Sequence, residues 1–156
     1  MPITARVTVK LSLVYLVIGF LLGALLLTNR WIPLGSVAGL VRTPHIHMLV
    51  VGWITQLILG VAWWLFPPLQ VGLRTDAPLP VRRGQTQRGS EPWFWATFAF
   101  LNAGILLRCL SEPLFDLTQS RLFTVLITLS GLLELVAVIL FVLNIWRRVR
   151  ELGRSR

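Results

Sequence analysis

Residues 11–27 read LSLVYLVIGFLLGALLL, seventeen positions without a charge. A soluble helix alternates an apolar stripe with a polar face, whereas this run is apolar all round, as a helix surrounded by lipid must be. Similar blocks recur at 46–66, 93–107 and 122–146. Each is near or above the length that carries a helix across about 30 Å of hydrocarbon. Over the 156 residues, 55% are hydrophobic and only 13% charged, well below the quarter or so usual in soluble domains. The chain therefore reads as all-α, a single integral membrane four-helix bundle over residues 1–156, with spans at about 7–28, 44–66, 93–111 and 119–147.

The net charge of +9 comes from 14 arginines and one lysine lying between or beyond the apolar blocks. Arg6, Lys10, Arg74, Arg82, Arg83, Arg88, Arg147, Arg148, Arg150, Arg154 and Arg156 fall on one side, 11 in all, against Arg30, Arg42, Arg108 and Arg121 on the other. The positive-inside rule then makes both termini and the 67–92 loop cytoplasmic, in a multi-pass protein of the cell (inner) membrane. The tail WRRVRELGRSR reads as an anchor on an anionic lipid surface and not as a nucleic-acid site. The 67–92 loop, rich in Gly, Pro and Arg, reads as mobile. Trp63, Trp64, Trp93, Trp95 and Trp146 are placed as an aromatic belt at the cytoplasmic interface. The first span has a longer apolar stretch than a signal peptide and lacks a small-x-small cleavage site, so it is expected to be retained.

Cys109 is the single cysteine; it excludes an intrachain disulfide framework or a CxxC motif and reads as a packing residue. Gly19 and Gly23 have the small-xxx-small spacing that lets membrane helices approach closely. No acid–base pair, nucleophile or phosphate loop is present, which argues against a hydrolase or transferase.

The candidate chemistry sits in TPHIHMLVVGW, residues 43–53, which holds the only two histidines. Thr43–Pro44 has the form of a helix start, with Thr as N-cap and Pro at the first helical position. Two residues on a helix span about 200°, so the His45 and His47 rings leave from nearly opposite sides and cannot chelate one metal within a chain. Steps of three and four residues from His45 meet Leu49, Gly52, Gln56, Gly60 (or Leu59) and Trp63, a face on which two glycines leave room for something flat. From His47 the steps meet Val51, Ile54, Ile58, Val61 and Leu65, an apolar stripe suited to lipid or helix packing. His45 is thus the better inward ligand, and His47 the candidate for an outer pocket or an intersubunit contact. Gln56, Asn102 and Glu134 are expected near mid-membrane, as an interhelical hydrogen-bond network, a proton path or a pocket wall; Glu112 and Asp116 are expected to pair with Arg108 or Arg121 on the outer side.

The offsets of His45, His47, Gly52, Gly60 and Pro67 (0, 2, 7, 15 and 22) resemble the second helix of NnrS-type membrane proteins, which contain haem and copper. They are also similar to helix II of haem–copper oxidase subunit I and of the nitric-oxide reductases, where a histidine at the outer end ligates a low-spin haem. The resemblance covers the second span, and the rest only through span count. Those relatives have many more spans and take further ligands from later helices, whose histidines this chain lacks. Their fold is an approximately threefold arrangement of four-helix units, and this chain is similar to one unit.

The resemblance implies a b-type haem protein, with iron ligated by His45 of two chains or by His45 and His47 of neighbours. A homo-oligomer would then be required, a trimer before a dimer. The implied role is electron transfer, or binding and reduction of a diatomic gas (NO or O2), with a redox partner. If the protein is an enzyme, it is a haem-dependent oxidoreductase. Gly52, Gln56 and Gly60 would line the cofactor, and Arg42 and Arg108 would pair with haem propionates or simply snorkel to the interface. The alternative is a non-haem protein: copper-binding, since imidazole suits copper as well as iron, or a structural or assembly subunit without catalytic activity.

Overall fold

The computed structural model describes residues 1–66, 69–70, 86–87 and 89–150. Among them are four helices long and apolar enough to cross a membrane. α1 is Ile3–Thr28. α2 is Ser36–Leu65, built from an α segment Ser36–His47, a π segment Met48–Thr55 and an α segment Gln56–Leu65. α3 is Glu91–Thr118 and α4 is Arg121–Arg150. Leu69–Gln70 and Thr86–Gln87 pair as a short antiparallel ladder between α2 and α3. The rest of the 67–92 loop and the tail beyond Arg150, whose mobility and lipid anchoring are expected from sequence, lie outside the described residues.

α1 packs against α2, and α3 against α4, as two antiparallel hairpins. The buried face of α1 is Thr4, Ala5, Thr8, Ser12, Tyr15 and Gly19. Hydroxyls on this face turn back onto their own helix, Thr8 Oγ1 to Thr4 O at 2.9 Å and Ser12 Oγ to Val9 O at 2.8 Å. Thr4 Oγ1, on the same face, is buried without a protein partner. Small side chains let a second backbone come close, which is what holds helices together where lipid supplies no hydrophobic contrast. The glycines show how close. A Cβ at Gly19 would lie 2.5 Å from Leu49, at Gly23 2.6 Å from the His45 ring, and at Gly52 2.6 Å from Tyr15. The Gly19 and Gly23 pair is thus a packing face, as its spacing suggests.

Two expected boundaries are corrected. Thr43–Pro44 does not begin α2: the helix starts at Ser36 behind Gly35, whose φ of 57° suits glycine, and Pro44 is buried inside it. Likewise α3 does not stop at Glu112–Pro113 but carries Pro113 within it to Thr118. Proline removes a ladder donor and crowds the carbonyl four residues back. Membrane helices absorb this by local changes in the ladder, and in α2 the π segment begins four residues after Pro44.

At the end of the bundle where α1 begins and α4 ends, Trp63 stacks on Phe94 (ring centroids 4.6 Å apart, planes at 28°) and Phe94 meets Phe141 edge-on. Trp63 is 2% exposed, so it belongs to the core and not to the aromatic belt; Trp64, Trp93, Trp95 and Trp146 are exposed at this end, as a belt requires. Arg148 also departs from the expected lipid-facing tail. It is fully buried, lies over the Trp63 ring at 5.1 Å, and donates to the Trp63 and Phe66 carbonyls. These carbonyls stand at the end of α2, where the last turn of a helix leaves acceptors without an intrahelical donor. Asn144 closes the start of α3 by bonding both the N–H and the carbonyl of Ser90, each at 2.9 Å.

Candidate functional site

His45 leans onto α1. Its Nδ1 is 2.8 Å from the Gly19 carbonyl, and its ring lies across Gly23, where a methyl group would collide with Cε1. A carbonyl oxygen only accepts, so Nδ1 carries the hydrogen and, in the neutral ring, Nε2 keeps the lone pair. This is the arrangement that orients a ligating imidazole, one nitrogen held by a carbonyl and the other presented. The side chain is half-buried.

The stripe predicted beneath His45 is a real face. Leu49 meets Gly19, Gly52 meets Tyr15, and Gly60 meets Thr8 and Val9. Gln56 donates from Nε2 to Thr8 O at 3.3 Å. These partners follow α1 and α2 in antiparallel register. The room left by Gly52 and Gly60 is taken by side chains of α1. Tyr15, seated on Gly52, reaches across to the other hairpin and donates to Asn102 Oδ1 at 2.9 Å. Gln56 and Asn102 thus belong to interhelical hydrogen bonds, as expected; Gln56 Oε1 is buried with no protein partner.

His47 points the other way, as the two-residue spacing requires. Its Nδ1 is buried and has no protein partner. It faces the second hairpin, where the Glu134 carboxylate lies within electrostatic reach of both His47 and Arg108. The stripe below it is split: Val51 packs against the core, and Ile54, Ile58 and Leu65 are exposed. Arg108 sits 2.7 Å through Nε from Glu112 Oε2, a close ion contact whose angles leave neither atom a well-formed hydrogen bond. Its Nη1 lies 3.5 Å from Ile127 O. Glu112 is therefore the partner of Arg108, as anticipated. The two arginines proposed beside His45 part company. Arg42 is exposed, one turn from His45, while Arg108 belongs to the His47 side.

Counting from the end of the bundle that holds the 29–35 and 119–120 turns, Glu112 is about 9 Å, Arg108 about 15 Å, His47 about 17 Å and Glu134 about 20 Å along their helices at 1.5 Å per residue. Equal depth on facing helices was the signal that could have joined His47 to Glu134 from sequence. The apolar company of His47 hid it. Cys109 is buried in the same group, within electrostatic reach of Glu134, Arg108 and Glu112. Among the described residues, no three His, Cys, Asp or Glu side chains come together as a metal-holding group. No family model matches the chain, and neither a curated protein nor a solved structure matches it.

Proposed function

We propose that this multi-pass membrane protein binds haem b through His45 Nε2 and serves in electron transfer or in binding and reduction of a diatomic gas. The observation that carries the reading is the bond from His45 Nδ1 to Gly19 O at 2.8 Å. It fixes the tautomer and leaves Nε2 as the electron-pair donor that iron takes from imidazole. The fit is partial and instructive. The donor atom suits iron, but α1 fills the glycine face, so a macrocycle would be held at the half-exposed edge of His45 between copies of the chain. One histidine per chain at that edge favours a homo-oligomer, a trimer before a dimer. Arg42, exposed and one turn away, is the arginine suited to a propionate. His47 is not the partner ligand within its own chain, because it faces the other hairpin. When bound, haem supplies one-electron chemistry; the chain supplies an oriented imidazole and a water-poor surround. The arginine asymmetry of the sequence favours cytoplasmic termini in the inner membrane.

A second reading is favoured by the filled glycine face: a membrane subunit without haem, in which His45 is a hydrogen-bonded packing residue, or holds copper through Nε2 instead. The visible spectrum in mild detergent after haem supplementation separates the two. The haem reading expects a Soret band that His45→Ala abolishes and that both His47→Ala and a Ser36 substitution retain. A colourless wild-type protein, or a band indifferent to His45, rejects it, and metal analysis of the same sample then tests copper.

A further inference from the structure

The polar group around Glu134 has a chemistry separate from that of His45. Glu134 Oε1 and His47 Nδ1 come from different hairpins, and both are buried without a protein partner. Hydrocarbon offers no hydrogen bonds, so polar atoms at membrane depth are satisfied by protein or by water in a polar cleft. The titratable neighbours of Glu134, His47 and Arg108, lie toward one end of the bundle, Arg108 about 5 Å nearer the 119–120 turn by helix rise and its partner Glu112 about 11 Å nearer. Arg108 and Glu112 are both about a quarter exposed. In the other direction the way is closed. Ile105 and Leu101 are 0% and 1% exposed, and the Tyr15–Asn102 bond ties α1 to α3. Gly104 lets α3 press against the Glu134 Cγ, where a Cβ would stand 2.7 Å away. The charged groups therefore lead in from one end and finish at a carboxyl, while the nearest polar groups beyond it, Tyr15 and Asn102, are bonded to each other.

We infer that Glu134 is a proton-exchange site, reached by water from the 119–120 end through a polar half-channel between the two hairpins. A proton from water adds to a carboxylate oxygen of Glu134 and leaves by the same route, with no other bond changed. The groups facing Glu134 are His47 from α2 and Arg108 and Cys109 from α3, with Glu112 beyond Arg108 and Cys109, and Tyr15 of α1 beyond Cys109. Nothing here depends on haem.

Cys109 makes the test direct, because it is the only cysteine and its S–H stretch is the only thiol band in the infrared. The full chain in lipid vesicles is moved from H2O to D2O. The half-channel predicts that the S–H band converts to S–D far sooner than the amide hydrogens of the helices exchange. The same holds for the Glu134 carboxyl stretch, identified by its loss in Glu134→Gln. Leucine at Glu112 should slow both exchanges several-fold. An S–H band in wild type that lasts as long as the helix amides overturns the inference without any variant. Exchange unaffected by Glu112→Leu overturns the route.

Discussion

Arg148→Met tests whether a buried cation holds the closed end of the bundle. The wild-type guanidinium donates to Trp63 O at 3.2 Å and to Phe66 O, and lies 5.1 Å over the Trp63 ring. A hydrogen bond from a charged donor contributes about 1.5–3 kcal/mol, and losing it strands the carbonyl. The cation–π contact adds about 1 kcal/mol. Methionine keeps much of the stem's packing, and the carbonyls stand near the membrane surface, where water can partly replace the lost donor. The low end of the range therefore applies, and the loss should be about 3–4 kcal/mol. Arg148→Lys keeps the charge without the planar fork and should lose about half as much. Trp146→Met, at a side chain 64% exposed, is the control and should stay within about 0.5 kcal/mol of wild type. Unfolding in mixed micelles of increasing SDS fraction, followed by circular dichroism, gives all three on one scale. An Arg148→Met protein as stable as the Trp146 control refutes the cap.

Three further outcomes follow from the same geometry. Gly52→Ala drives a methyl group to 2.6 Å from Tyr15 Cγ and should destabilise by about 1–3 kcal/mol; most of that should vanish in a Tyr15→Ala background, as a double-mutant cycle will show. Gly23→Ala displaces the His45 ring from Gly19 O, so in 15N-histidine spectra the His45 pair of signals should leave the Nδ1–H tautomer pattern while the His47 pair stays put. Asn144→Ala removes two bonds to Ser90 and should lower stability by about 1–3 kcal/mol in the same titration.

The four spans were legible because hydrocarbon imposes length and composition on a helix directly. The divergence of His45 and His47 was legible because a two-residue step fixes rotation, and the 45–49–52–56–60 stripe emerged as one packed face. What failed were rules formed in water. Thr43–Pro44 has the chemistry of a helix start, yet inside a membrane no solvent competes for the backbone, and the helix runs through. Trp63 and Trp64 are neighbours of one type near one span end; only the packing of Phe94 and Phe141 decides that the first turns in and the second out. Arg148 looks like its companions in a basic tail until the end of α2 is seen to leave carbonyls in want of a donor.

The register of α2 against α1 ties these observations together. Four contacts with α1 run from His45 to Gly60, a separation of 15 residues. At about 100° per residue these positions stay within roughly 80° of rotation, the width of an ordinary packing face. The π segment lies inside this stretch, and Gly60 meets Thr8 as His45 meets Gly23. With the register kept, His45 is pinned to the seam inside the first hairpin, while His47, two residues on, is committed to the seam between hairpins. The pair therefore faces two seams: an imidazole oriented by Gly19 O in the first, and a ring within electrostatic reach of Glu134 in the second. Substitutions at the two positions should accordingly fail in different assays, His45 in ligand spectra and His47 in the exchange behaviour of its carboxyl neighbour.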